Sequence, residues 1–339
     1  MHAEILHTYT PSLFDAAVAR AAEALRRGEL VALPTETVYG LAANAFDATA
    51  VEKIFRAKGR PSHNPLIVHV SDLAMAQRCA AAWPELADRL AAAFWPGPLT
   101  MVLPRSKEIP DAVTAGGPTV GIRWPSHPIM QAVIRATGFP LAAPSANRSN
   151  EISPTNATHV ARSLGDRIAL IIDGGQSQVG IESTVLDISE TPPSLLRPGM
   201  IHEESLIAVT GSLDARAPGQ TAPRRSPGML PRHYAPKARL VVLSWNNEAE
   251  FALRLAGLRL PASGKRIFVI AHTHIPVGAN VGDISVIPHD AEAFARAFYA
   301  ELHRCDEAGA ELIVMEALPS GPEWRAIADR MDRASAGVG

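Results

Sequence analysis

Between residues 11 and 27 apolar positions recur at helical spacing and stop at Gly28, after which Leu30-Val-Ala-Leu33 runs without a polar break. The first pattern predicts an amphipathic helix and the second a short buried strand. That strand feeds a loop, Pro34-Thr35-Glu36-Thr37-Val38-Tyr39-Gly40. A second helix should follow, with Asp47 as its N-cap, Val51, Ile54 and Phe55 on one face, and Gly59 as its stop. Further apolar runs predict strands at 66–70, 99–103, 119–123, 168–172 and 183–188, mixed with helices near 72–93, 127–137 and 155–164. Ser153-Pro154 reads as the start of the last of these, a capping serine followed by a proline suited to the first helical position.

The texture changes between Gly211 and Lys237, where five prolines, three glycines and five basic residues accompany a single acid. This stretch reads as a linker. Beyond it, strand-like runs at 239–243, 266–271 and 311–316 alternate with helices near 247–256, 290–308 and 322–334, which predicts a small parallel α/β domain. The chain is thus expected to be α/β (α+β), with a large mixed-sheet domain over 1–210, a linker over 211–237 and a second domain over 238–339.

Composition changes this picture little. Hydrophobic residues make up 47% and charged residues 19% of the 339, with a net charge of −2, so wholesale coating of nucleic acid is not expected. No run of 18 apolar residues is present, so no membrane span is expected, and residues 1–7 lack the basic and apolar regions of a secretion signal. The expected location is the cytoplasm. Cys79 and Cys305 lie in helical segments without zinc-ligand spacing around them and read as packing residues.

Neither standard phosphate loop, G-x-x-x-x-G-K-[ST] or a strand-linked G-x-G-x-x-G, is present. Any nucleotide must be held in another way. Lys58 and Arg60 flank Gly59, a spacing that can aim two cations into one concavity, with the Asn64 amide close behind. His69 sits in an apolar strand, where a satisfied core histidine is the commoner case. Ala143-Pro-Ser145-Ala-Asn147 follows the apolar run 139–142 and sets small polar groups beyond a strand end, where α/β sheets bind ligands. A plain turn explains the same residues, just as Glu182-Ser183-Thr184 could be a strand entry and Arg123 and Arg197 surface charges. The His272-Thr-His274 pair has no third metal ligand nearby in sequence.

The joint order of these fragments alters that balance. Pro34 to Gly40, Lys58-Gly-Arg60, Asn64 to His69, Trp95-Pro-Gly-Pro-Leu-Thr100, Ala143 to Asn147, Ser153-Pro-Thr155, Gly180-Ile-Glu-Ser-Thr184 and Leu196-Arg-Pro-Gly199 resemble the YrdC-like threonylcarbamoyl-AMP synthase family over residues 12–209. Pro227-Gly-Met229, His233-Tyr-Ala-Pro236 and the second domain are similar to its long two-domain form. The resemblance implies a twisted sheet with a concave basic cleft, and a Rossmann-like second domain. It also implies a nucleotidyl transfer in which L-threonine, bicarbonate and ATP give threonylcarbamoyl-AMP and pyrophosphate, the first step toward N6-threonylcarbamoyladenosine at position 37 of tRNA.

By the same resemblance Thr37, His69, Thr119 or Arg123, the Ala143 backbone and Ser183 surround the threonine. Lys58, Arg60, Asn64, Ser145, Asn147, Ser153 and Arg197 line the ATP, and Tyr234 in the linker closes over it as part of a lid. Lys58 and Arg60 are the expected catalytic cations, with Mg²⁺ carried by the phosphates and no tightly bound protein metal. A separate transferase acting on tRNA is the implied partner, and weak RNA binding is compatible with the basic cleft. Two alternatives use the same fragments: an RNA-binding module of this fold, marked by salt-sensitive affinity without ATP turnover, and a carbamoyl-adenylate-forming maturation protein, whose zinc-binding segment two cysteines cannot supply.

Overall fold

The computed structural model describes residues 3–214, 234–278 and 280–336. Its first ten strands are β1 (Glu4–His7), β2 (Val31–Leu33), β3 (Gly40–Asn44), β4 (Ile67–His69), β5 (Leu99–Pro104), β6 (Thr119–Arg123), β7 (Leu141–Ala142), β8 (Leu170–Asp173), β9 (Thr184–Asp187) and β10 (Ser194–Arg197). They form one sheet in the order β1-β8-β2-β3-β7-β4-β6-β5-β9-β10. Pairing is parallel at β1/β8, β8/β2, β4/β6 and β5/β9 and antiparallel at the other junctions, so the sheet is mixed.

The unbroken apolar runs follow from burial on both faces. In β2, Val31 and Leu33 pack with Ala17, Ala21 and Leu25 of the helix Pro11–Arg26, whereas Ala32 between them joins a separate core with Leu41, Ile54 and Val68. Successive side chains point to opposite faces, and here each face has its own core. The helix Ala48–Lys58 starts where Asp47 accepts hydrogen bonds from the Thr49 and Ala50 amides. It ends at Gly59, whose φ of 61° is the left-handed conformation that favours glycine.

The chain divides into two units, one comprising 3–149 and 153–214 and the other 150–152 with 234–336. In the second, β11 (Arg239–Leu243), β12 (Ile267–Ala271), β13 (Asp283–Val286) and β14 (Leu312–Glu316) form an all-parallel sheet in the order β11-β14-β12-β13. No helix among the described residues is long and apolar enough to cross a membrane.

Several local expectations change. The 155–164 helix does not start at Ser153-Pro154: its cap is Asn156, whose side chain accepts from the His159 amide, because Ser153 is engaged by Glu182. Pro84 divides the 72–93 region into the helices Leu73–Cys79 and Glu85–Phe94. Strands β1, β3, β10 and β13 escape the sequence reading. His272 and His274 both lie against Glu316, with His274 Nδ1 3.1 Å from Oε1 and His272 Nε2 4.0 Å from Oε2, and His272 Nδ1 is 2.9 Å from His289 Nδ1. Cys79 and Cys305 are buried, and burial pushes both thiols up to about 12.

Candidate functional site

The segment 34–40 is the hub on which the distant fragments converge. Its turn is held from within by Thr35, whose Oγ1 donates to Val38 O at 2.6 Å and accepts from the amides of Thr37 and Val38. Its backbone then reaches outward. Tyr39 N donates to Pro154 O, Tyr39 O accepts from Ala146 N, Glu36 O from Val179 N and Thr37 O from Gly180 N. Gly40 forms an isolated bridge with Ser145. Fragments from 143–147, 153–155 and 179–184 are thereby fixed around one short loop.

Three short strands supply the next layer. His69 and Arg123 end β4 and β6 and are direct partners across that parallel pair, while Ala143 N, just past β7, donates to Ile67 O at 3.0 Å. Arg123 reaches back to the hub: Nη1 donates to Thr37 Oγ1 at 2.8 Å, Nε to Gly97 O at 3.3 Å, and Nη2 lies 2.7 Å from Glu36 Oε1. That last approach has the distance of an ion pair without the direction of a hydrogen bond. Both Glu36 oxygens, Arg123 Nη2 and His69 Nδ1 are buried with no hydrogen-bond partner. Burial first, and then the Arg123 guanidinium, hold the His69 pKa down at about 3, so the ring is neutral at physiological pH.

Beside this lies a second group. Ser183 Oγ is 2.8 Å from Thr100 Oγ1 and accepts from Arg197 Nη2 at 3.0 Å, while Arg197 Nε donates to Ser183 O. Gly199 makes this approach feasible, since a Cβ there would stand 2.3 Å from Thr184 N. Lys58, at the end of its helix, donates to Ser145 O at 2.6 Å and to Asn147 O, and approaches Asn147 Oδ1 at 3.4 Å. Arg60 turns instead to the carbonyls of Asn64 and Pro65. Ser153 donates to Glu182 Oε1 at 2.6 Å.

Lys58, Arg60, Arg123 and Arg197 are all buried, as are the carboxylates Glu36 and Glu182. Buried guanidinium and ammonium groups of this kind are the donors from which phosphate oxygens accept.

Of the residues singled out by sequence, Thr37, His69, Arg123 and Ala143 come together, and Ser183 joins Arg197. Lys58, Ser145 and Asn147 form a third set. Thr119 does not join Arg123: it begins β6 opposite Pro104, four residues and about 13 Å of strand away. Tyr234 lies buried in the second unit, 5.8 Å from the Tyr299 ring and 5.9 Å from the Arg330 guanidinium. Residues 215–233, which hold most of the linker and of the expected lid, lie outside the described residues. Glu36 was missed, because one acid between two threonines has no period or ligand spacing. Only its contact with Arg123, 87 positions on, marks it.

A family model described as telomere recombination, covering YrdC and YciO proteins, matches residues 23–199, and one described as threonylcarbamoyl-AMP synthase, C-terminal domain, matches 201–336. The chain belongs to the threonylcarbamoyl-AMP synthase family. A threonylcarbamoyl-AMP synthase of Bacillus subtilis is 42% identical over 331 residues, covering 95% of this chain and 94% of its own. One from Pyrococcus abyssi is 39% identical over 319 residues, 93% of each chain. A crystal structure from Pyrococcus abyssi, complexed with L-threonine, superposes with a TM-score of 0.86 at 36% identity, covering 99% of this chain and 98% of that one. The likeness to these synthases thus extends through both units.

Proposed function

We propose that this chain is an L-threonylcarbamoyladenylate synthase, joining L-threonine, bicarbonate and ATP into threonylcarbamoyl-AMP with release of pyrophosphate, the first step of tRNA N6-threonylcarbamoyladenosine formation. The observation that carries the reading is the pairing of two unlike sites around the 34–40 hub. One is a buried set of groups without hydrogen-bond partners on Glu36, Arg123 and His69, of the chemistry that a small polar molecule would satisfy. The other is a bank of buried cations, Lys58, Arg60 and Arg197, suited to phosphates.

In this reading the threonine amine takes up carbon dioxide from bicarbonate as a carbamate, whose oxygen attacks the α-phosphate of ATP. Both reactants are anionic, so alignment and positive charge do more than a covalent nucleophile would. Lys58 fixes the Ser145–Asn147 loop and lends its charge to the phosphates, and Arg197 orients Ser183 between the two substrates. Glu36 lies beside Arg123, and Glu182 Oε1 accepts from Ser153, so neither carboxylate is built into a metal cage. That donor set fits Mg²⁺ held mainly by phosphate oxygens and water rather than by a protein cage. The ion would neutralise phosphate charge. The partner consuming the product is a threonylcarbamoyl transferase acting on tRNA, and the cytoplasm is the matching compartment. The test is whether pyrophosphate release requires threonine and bicarbonate together.

A further inference from the structure

The second unit carries a polar cluster that the proposed reaction does not use. His272 and Thr273 leave the carboxyl end of β12, and His289 follows β13, the strand paired with it in parallel, with Ala271 opposite Val286. Open α/β sheets bind ligands beyond the carboxyl ends of their strands. Three atoms meet there: His272 Nδ1 lies 2.8 Å from Thr273 Oγ1 and 2.9 Å from His289 Nδ1, and the last two are 2.9 Å apart. Hydrogen bonds cannot serve all three contacts. His272 Nε2 is 3.1 Å from the Ala317 carbonyl, which only accepts, so the neutral ring carries its proton on Nε2 and Nδ1 offers a lone pair. Thr273 and His289 then bring at most one proton each to a triangle with three sides, and at least one side sets two lone pairs against each other.

We infer that His272 Nδ1, His289 Nδ1 and Thr273 Oγ1 hold a divalent transition-metal ion of the zinc type, at a site of the second unit that is distinct in chemistry from Mg²⁺ carried by phosphates. Two imidazole nitrogens suit Zn²⁺, Ni²⁺ or Cu²⁺ rather than Mg²⁺. Zinc with tetrahedral ligands at about 2.0 to 2.1 Å spaces them about 3.3 Å apart, so the trio needs to open by only roughly half an ångström. Its surroundings are those of a built ligand shell. Ala317 O takes the other His272 nitrogen, the outer contact that fixes the tautomer of a metal-bound histidine. Glu316, buried at the end of β14, accepts from the amides of His272 at 2.7 Å and Thr273 at 2.8 Å, which pins the chain that carries two of the ligands. Its carboxylate stands 4.0 Å from His272 Nε2, where it would offset the charge of the ion. Trp324 packs 6.0 Å from the His272 ring and 5.5 Å from that of His289. His272 is buried whereas Thr273 and His289 are exposed, so an ion can enter from solvent and keep water in its remaining position. His274 is no ligand, since its Nδ1 turns to Glu316 Oε1 at 3.1 Å.

The experiment titrates the metal-free full chain with Zn²⁺ by calorimetry, without nucleotide, in wild type, His289→Gln and His274→Gln, each checked by its melt. Wild type should bind Zn²⁺ at a site that His289→Gln weakens at least tenfold, because changes to outer contacts alone already cost about 10- to 100-fold in metal affinity. His274→Gln should bind as wild type does. Should His289→Gln not fold, Cu²⁺ supplies a readout that needs no variant: at one equivalent, the electron paramagnetic resonance spectrum of wild type should show coupling to two imidazole nitrogens. Zn²⁺ affinity unchanged in folded His289→Gln, an equal loss in His274→Gln, or a Cu²⁺ spectrum without two-nitrogen coupling would overturn the inference. The three side chains would then be a hydrogen-bonded tie between the segments that follow β12 and β13.

Discussion

Replacing Lys58 by methionine keeps most of the side chain's volume and removes its charge. The ammonium donates to Ser145 O at 2.6 Å and to Asn147 O, and the residue is only 3% exposed. Two hydrogen bonds from a charged donor contribute about 1.5 to 3 kcal/mol each. Against this, the folded protein no longer has to keep an ammonium away from water, a penalty of several kcal/mol. The net destabilisation should therefore be modest, about 1 to 3 kcal/mol, and the protein should remain folded. The effect on turnover should be larger. Loss of a preorganised charge aimed at a transition state typically costs about 2.7 to 4 kcal/mol, or a factor of about 10² to 10³ in kcat. Pyrophosphate release at saturating substrates, run beside a thermal melt, reads both quantities. Lys58→Arg, which keeps charge but not shape, should fall between. Turnover of folded Lys58→Met within threefold of wild type would refute the catalytic role and leave Lys58 as a clasp for the 145–147 loop.

His69 should stay neutral down to pH 5, because its folded pKa is near 3 and the unfolded value is 6.5. The unfolded chain then binds the extra proton, so stability falls as pH drops from 6.5 toward 3, by about 2 kcal/mol at pH 5; a His69 imidazole resonance, assigned by its loss in His69→Gln, that titrates near 6.5 in the native protein would contradict this. Gly199→Ala should displace Ser183 and Thr184, since the new Cβ would meet Thr184 N at 2.3 Å. A loss of about 1 to 3 kcal/mol is expected, with weaker threonine binding, and an unchanged melt and titration would show that the close approach does not matter.

Much of the scaffold is legible in the chain because burial writes it there. β6 and β11 match their apolar runs at both ends, and Asp47 and Gly59 bracket their helix as the capping rules require. β3 was hidden because Gly40-Leu-Ala-Ala-Asn44 has small residues and no alternation; its pairing with β2 and β7 makes it a strand. Ser153 misled because its hydroxyl is claimed by Glu182, 29 positions away, and not by the neighbouring helix. The same holds at the site. Residue types and order drew Thr37, His69, Ser145 and Arg197 from the chain, but that Arg123 rather than Thr119 lies beside His69 needed the register of β4 and β6, and the approach of Glu36 to Arg123 needed the folded loop. Lys58 and Arg60, two positions apart, turn to different loops, which no spacing rule reveals.

Activation of threonine, specifically and only as its carbamate, is the reaction proposed for this cleft. It is tested most directly by incubating the full chain with ATP, Mg²⁺ and each amino acid in turn, with and without bicarbonate, and following pyrophosphate together with the adenylate by mass spectrometry. Threonylcarbamoyl-AMP and pyrophosphate should appear together only when L-threonine and bicarbonate are both supplied, with serine a poorer substrate by about 1 to 3 kcal/mol for its missing methyl group. Equal pyrophosphate release with every amino acid, or release that ignores bicarbonate, would mean that the cleft does not form threonylcarbamoyl-AMP.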